Sequence, residues 1–139
     1  MNSNRFKWPV RVYYEDTDAG GVVYHATYLR YFERARTERL RALGFEHGGL
    51  RADAGILFAV KSMTVDFVKP ARFDELLWVD ARLTEVKRAS LMFEQEIRRQ
   101  QGAGAVLCKA LVRIACLAAD TFTVTAIPDN LLQRMKDEL

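Results

Sequence analysis

Between Tyr13 and His25 the chain gathers three carboxylates (Glu15, Asp16 and Asp18), the adjacent glycines Gly20 and Gly21, and a histidine. Asp18 stands seven residues ahead of the helix expected to start at His25. That is too far for an N-cap, whose side chain reaches only the amides two or three residues on. Two glycines after it let backbone come close to a ligand. Helix N–H groups near His25 can polarise a carbonyl oxygen while Asp18 faces the carbonyl carbon. The arrangement suits acyl transfer. Asp16 alone reads better as a capping residue. His25 suits two readings equally, a catalytic imidazole or a hydrogen-bonded core histidine beside Tyr24 and Tyr28. A third option is a divalent ion held by Glu15, Asp16, Asp18 and His25. Strand alternation would send Glu15 and Asp16 to opposite faces, and no second cluster supplies further ligands, so no metal is expected.

Other nucleophiles find little support. No Gly-x-Ser-x-Gly elbow exists. Cys108 and Cys116 lie in one apolar run. Eight residues of strand put them about 26 Å apart, beyond disulfide reach. They read as buried free thiols of a reducing compartment, and without Cys or His partners at ligand spacing they form no zinc site. His47 reads as a solvated loop residue. A second cluster, Val86-Lys87-Arg88-Ala89-Ser90, is a hairpin corner whose two cations and hydroxyl could bind phosphate. On the residues alone, a solvated turn is the stronger reading.

The elements that must position these residues follow from periodicity. Val10, Val12 and Tyr14 alternate with Arg11, Tyr13 and Glu15 as in a strand. Asp16 to Gly21 is turn chemistry. A helix is expected from His25 to Leu43, closed by Gly44. Its early turns (Tyr28, Leu29, Tyr31, Phe32, Ala35) are apolar almost all round and should be enclosed. Its later, charged turns should emerge toward solvent. After an irregular stretch from Phe45 to Gly55, strands are expected over Phe58–Val65, Leu77–Leu83, Leu91–Arg98, Val106–Leu117 and Phe122–Ala126, with Pro70 ending or bending the first. A small helix starting at Pro128-Asp129 carries Leu131, Leu132 and Met135. One long helix set against an antiparallel meander is an α+β domain, and a sheet that curls around the helix would enclose its apolar half.

Length and composition agree. The 139 residues suit one domain, 1–139, and the chain is 50% hydrophobic and 28% charged, which excludes a disordered or low-complexity class. The net charge of +3 is mild and the basic residues are dispersed, so no nucleic acid is expected as partner. No run of 18 apolar residues exists, so no transmembrane helix is expected. The first seven residues lack the apolar stretch of a secretory signal, and a cytoplasmic location is expected.

The block Tyr14-Glu15-Asp16-Thr17-Asp18, Gly20-Gly21-Val22-Val23-Tyr24-His25, Tyr28-Leu29 and Glu33-Arg34-Ala35-Arg36 resembles the signature of the 4-hydroxybenzoyl-CoA thioesterase family. Within it the block is most similar to the Tol–Pal-associated acyl-CoA thioesterases, the YbgC-type branch. The motif is long and gapless, while fewer residues are diagnostic over the rest of the chain. The resemblance implies a hot-dog fold, an antiparallel sheet wrapped around one long α-helix. It implies hydrolysis of acyl-CoA, with acyl-carrier-protein thioesters left open, and no cofactor. It also implies a homodimer with sheets joined edge to edge, often paired again into a homotetramer, with active sites at the dimer interface. The family's essential carboxylate falls on Asp18, as base or nucleophile. The N–H that polarises the thioester carbonyl falls on His25, whose imidazole assists. Tyr24 joins the substrate-binding set. Lys87, Arg88 and Ser90 fall where relatives contact the CoA phosphates. Two other functions stay open: a hot-dog hydratase or dehydratase acting on acyl thioesters, and a non-catalytic partner of acyl carriers or envelope machinery.

Overall fold

Leu77, Val79, Ala81 and Leu83 are buried, as are Leu91, Phe93, Gln95 and Ile97, and Cys108, Ala110, Val112, Ile114 and Cys116. The residues between them are more exposed. A burial period of two is that of a sheet with one covered face. The computed structural model describes residues 6–45, 49–101 and 104–139. Its strands are β1 (Lys7–Arg11), β2 (Ile56–Phe67), β3 (Leu76–Asp80), β4 (Arg82–Val86), β5 (Ser90–Arg99) and β6 (Val106–Ala118). The helices are α1 (His25–Ala42) and α2 (Asp129–Lys136). The strands pair antiparallel in the order β1-β3-β5-β6-β2. β4 also pairs with β5, along Leu91–Glu94, while β3 takes Ile97–Arg99. The strand expected over Leu77–Leu83 is therefore one run broken at Ala81.

The covered face holds α1 through Tyr28, Tyr31, Phe32, Ala35 and Leu40. At its centre the buried Gln95 amide donates to the carbonyls of Phe32 (3.0 Å) and Asp80 (2.9 Å), tying helix to sheet. α1 ends as expected at Gly44. Gly44 N–H donates to Arg41 O (2.9 Å) and Phe45 N–H to Leu40 O (3.0 Å), the paired bonds of a Schellman motif. α2 docks beside this end, with the Arg134 guanidinium 5.0 Å from the Phe45 ring centre and Leu131 and Met135 buried.

Several expectations are corrected. The alternation from Val10 to Glu15 is strand only to Arg11, and Tyr14–Asp16 is a 3₁₀ turn. There the Asp16 carboxylate accepts the Tyr13 N–H (2.8 Å), and such local bonds compete with a ladder. No strand covers Phe122–Ala126, where Val124 makes a single bridge to Leu117 and Phe122 has φ +57°. The two halves of α1 also differ from expectation. Its first half keeps an exposed stripe of His25, Leu29, Arg30 and Glu33. Its second half buries Arg36 and Arg39. Arg36 donates to Gln95 Oε1 (3.1 Å), and Arg39 pairs with Glu138 beyond α2. Buried charge persists where it finds such partners. A helical turn, Leu50–Ala54, occupies part of the stretch read as irregular. His47 lies outside the described residues. Among the described residues no helix is long and apolar enough to cross a membrane.

Candidate active site

The chain leaves the 3₁₀ turn at Thr17, reverses, and returns at Val23, its bridge partner. Asp18 N–H donates to Val22 O (2.9 Å) and Gly21 N–H to Asp18 O (3.0 Å). Gly21 takes φ +78°, which favours glycine. One Asp18 carboxylate oxygen accepts the Gly20 N–H at 2.8 Å. A Cβ at Gly20 would lie 3.2 Å from that oxygen, so a side chain there would crowd the carboxylate. The other oxygen has no protein donor among the described residues, and Asp18 is exposed.

The returning leg is tied on two sides. Val22 bridges Arg72, and Val23 N–H donates to Ala71 O (2.8 Å). Tyr24 N–H donates to Asp16 O (2.9 Å). The Asp16 carboxylate turns instead to the Tyr13 N–H of the 3₁₀ turn, so it does not cap α1 as expected. α1 then starts directly at His25. Its N-cap, Tyr24, offers no side-chain acceptor, and the first turn holds no acid. The N–H groups of His25 and Ala26 take no acceptor among the described residues. Uncapped amides at the positive end of an 18-residue helix attract an oxygen that gains negative charge.

The His25 side chain is exposed, which excludes the core-histidine reading. Its ring centre lies 4.4 Å from that of Tyr24 and 6.4 Å, edge-on, from that of Phe67. Phe67 also meets the Tyr28 ring at 5.6 Å and is 54% exposed. Sequence reasoning missed Phe67: it closes β2, far along the chain, and no local spacing links it to His25. Asp18, Tyr24 and His25 thus come together on one short loop and the helix it feeds. Two hollows among the described residues lie away from them. One of about 300 Å³ lies on the outer sheet face by Thr64, Glu94 and Lys109. Another of about 320 Å³ lies by Trp8, Tyr13 and Arg34. The two cysteines are free and buried. Burial pushes the Cys108 thiol up to about 12 and raises that of Cys116, which makes both poor nucleophiles. Among the described residues no group of three or more His, Cys, Asp or Glu is placed to hold a metal ion.

Lys87, Arg88 and Ser90 are not brought to this loop. Phe67, beside His25, pairs with Cys108, which pairs with Ile97, whereas Ser90 starts β5. Seven residues of strand separate Ser90 from Ile97, about 23 Å at the usual rise. The corner is closed by Lys87 N–H to Ser90 O (2.8 Å) and tied by Ile127 N–H to Arg88 O (2.8 Å). Lys87 already faces an acid, Glu85, at 3.4 Å. Desolvation pushes the Glu85 carboxyl up, but hydrogen bonds and charge from Lys87 and Arg113 outweigh it and hold that carboxyl below its ordinary range. Arg88 is exposed and forms no ion pair among the described residues.

With this geometry in hand, comparison with known proteins decides the family. Residues 20–106 match the model of the thioesterase superfamily. The chain belongs to that superfamily. It is 47% identical to the acyl-CoA thioesterase YbgC of Haemophilus influenzae, over 94% of each chain. It is 42% identical to the acyl-CoA thioester hydrolase YbgC of Escherichia coli O6:H1, over 98% of this chain and 99% of that one. Its fold matches the crystal structure of a probable thioesterase from Bartonella henselae, with TM-score 0.82 and 36% identity over 88% of this chain and 98% of that one. The reading of the motif as that of a YbgC-type thioesterase is borne out, as is the hot-dog fold.

Proposed function

We propose that this protein hydrolyses acyl-CoA to the free acid and CoA thiol, with Asp18 and the amino end of α1 as its machinery. One observation carries the mechanism. The Asp18 loop is hydrogen-bonded back onto the start of α1, where the His25 N–H has no acceptor among the described residues. In this reading the thioester oxygen sits on the His25 N–H, which stabilises the oxyanion. The free Asp18 oxygen either takes a proton from the attacking water or itself attacks the carbonyl carbon. The first route gives a tetrahedral intermediate that expels the thiolate. The second also expels the thiolate, leaving a mixed anhydride on Asp18 that water then opens to the free acid. The His25 imidazole orients the water or returns a proton to the thiolate. Tyr24, half-exposed against His25, borders the thioester. No metal and no cofactor enters.

The reading includes a second copy of the chain. β2 (twelve residues) ends the sheet with one edge unpaired among the described residues, and exposed strand edges seek partners. Edge-to-edge pairing of β2 makes the dimer of this reading, and a tetramer pairs two such dimers. It would also cover the exposed stripe of α1 and wall the open site. The Lys87-Arg88-Ser90 corner, at the end of β5 away from the loop of its own chain, then meets CoA phosphates from a neighbouring subunit. Residues 1–139 form one hot-dog domain in this reading. Its location is cytoplasmic, where both thiols stay reduced, and acyl-carrier-protein thioesters are a second substrate class to try. The test is thiol release from a panel of acyl-CoA substrates. Stoichiometric thiol and acid support the reading. A spectral change without thiol release would instead mark a hydratase, and silence across the panel would leave a binding protein.

A further inference from the structure

Tyr28 is buried among aromatic neighbours, yet its hydroxyl is set at one polar point. It accepts the N–H of Ala71 at 2.9 Å. The carbonyl of the same residue accepts the Val23 N–H at 2.8 Å, and the next residue, Arg72, bridges Val22. The segment after β2 is thus held by α1 on its N–H side and holds the Asp18 loop on its C=O side. Ala71 is fully buried, so its N–H has no water to turn to if the hydroxyl is lost. Tyr28 also lies one helical turn beyond His25, and its ring meets Phe67, which in turn meets the His25 ring. One side chain therefore touches both supports of the site, the loop through Ala71 and the imidazole through Phe67. Desolvation raises its pKa above the ordinary phenol value, so the hydroxyl stays protonated and neutral across the working range.

We infer that Tyr28 is a positioning residue of the thioesterase site: its hydroxyl, through the Ala71 peptide, fixes the distance from the Asp18 carboxylate to the amino end of α1. It touches no reacting atom, and the inference rests on the Asp18–His25 reading above. A packing role alone would call for an apolar ring, and phenylalanine would serve it equally well.

The test is Tyr28→Phe, which keeps the ring and removes the acceptor. Thiol release from one acyl-CoA should lose roughly tenfold in kcat, with KM within about twofold, because misplaced groups slow the step without weakening binding. In an Asp18→Asn background the same change should cost nothing more, since Tyr28 acts through Asp18. A purely structural role would lower the melting temperature while leaving kcat intact well below it, and that result would overturn the inference. So would equal losses in the presence and absence of the Asp18 carboxylate. If Tyr28→Phe does not fold, 3-fluorotyrosine at position 28 keeps the hydroxyl but weakens it as an acceptor. A twofold to threefold loss of kcat (roughly, at constant KM) is then expected, and an unchanged kcat would count against the inference. If the wild-type protein releases no thiol at all, it is the function that fails, not the role of Tyr28.

Discussion

Two places on this chain hold reactive residues, and they are built differently. The Asp18–His25 loop is fixed from three directions: by Asp16 on its own turn, by Ala71 and Arg72 beyond β2, and by α1. One carboxylate oxygen is held and the helix amides face out without a cap. The Lys87–Arg88 corner is an exposed hairpin end, tied through its backbone, with one of its two cations set against Glu85. Chemistry on a thioester needs groups placed to within fractions of an ångström. Attraction of a phosphate needs only mobile charge in roughly the right place. The contrast matches a reacting centre at one end of the sheet and a holding contact at the other.

The contrast predicts effects of different kind and size. Asp18→Asn should keep the fold and lower kcat by about 10²-fold or more, because an amide is neither base nor nucleophile. A variant keeping a third of the wild-type rate would break the distinction between the two regions. His25→Ala should cost less, roughly tenfold or about 1.4 kcal/mol of barrier, because the backbone N–H at residue 25 survives. Losses of equal size would make the imidazole an essential catalyst.

At the other end, Lys87→Ala with Arg88→Ala should raise KM for acyl-CoA by roughly tenfold and leave kcat alone. The same double variant should match wild type on a short acyl-pantetheine, which lacks the nucleotide, and high salt should erode the wild-type advantage on CoA. Because Glu85 offsets Lys87, most of the effect should come from Arg88. Equal loss on both substrates would make the corner structural.

Asp80, in mid-sheet, gives a control that should touch neither region. Desolvation outweighs the Glu96 N–H that it accepts, and nearby Glu96 adds to the effect, so its carboxyl is pushed up to about 6 from 3.8. A carboxyl raised in the folded state stabilises that state below its unfolded pKa, and this contribution is lost as pH rises through the folded one. Asp80→Asn should therefore raise the melting temperature relative to wild type more at pH 8 than at pH 4, with kcat unchanged. A difference of the opposite sign would mean that the ionised carboxylate is favoured by its surroundings.

Much of this was legible in the sequence because the relevant signals are local. Gly44 after an apolar helix, alternation over β5 and β6, and the Asp18-to-His25 block each depend on neighbours within a few residues. What was not legible depends on distant partners. Arg36 and Arg39 looked like a solvated face, and only Gln95 and Glu138 explain their burial. Phe67 and Ala71 reach the site because β2 runs back to the start of α1, which no spacing around residue 25 reveals. The apolar first half of α1 was expected to be enclosed within one chain. Its exposed stripe at His25 and Leu29 instead matches the β2-paired dimer proposed above.

The account is tested most directly by the structure of the protein with a non-hydrolysable acyl-CoA analogue. It predicts the carbonyl oxygen about 3 Å from the His25 N–H, the carbonyl carbon facing the unbonded Asp18 oxygen, and the nucleotide phosphates at Arg88 of a neighbouring subunit. A carbonyl bound away from the start of α1, with Asp18 facing only solvent, would contradict it.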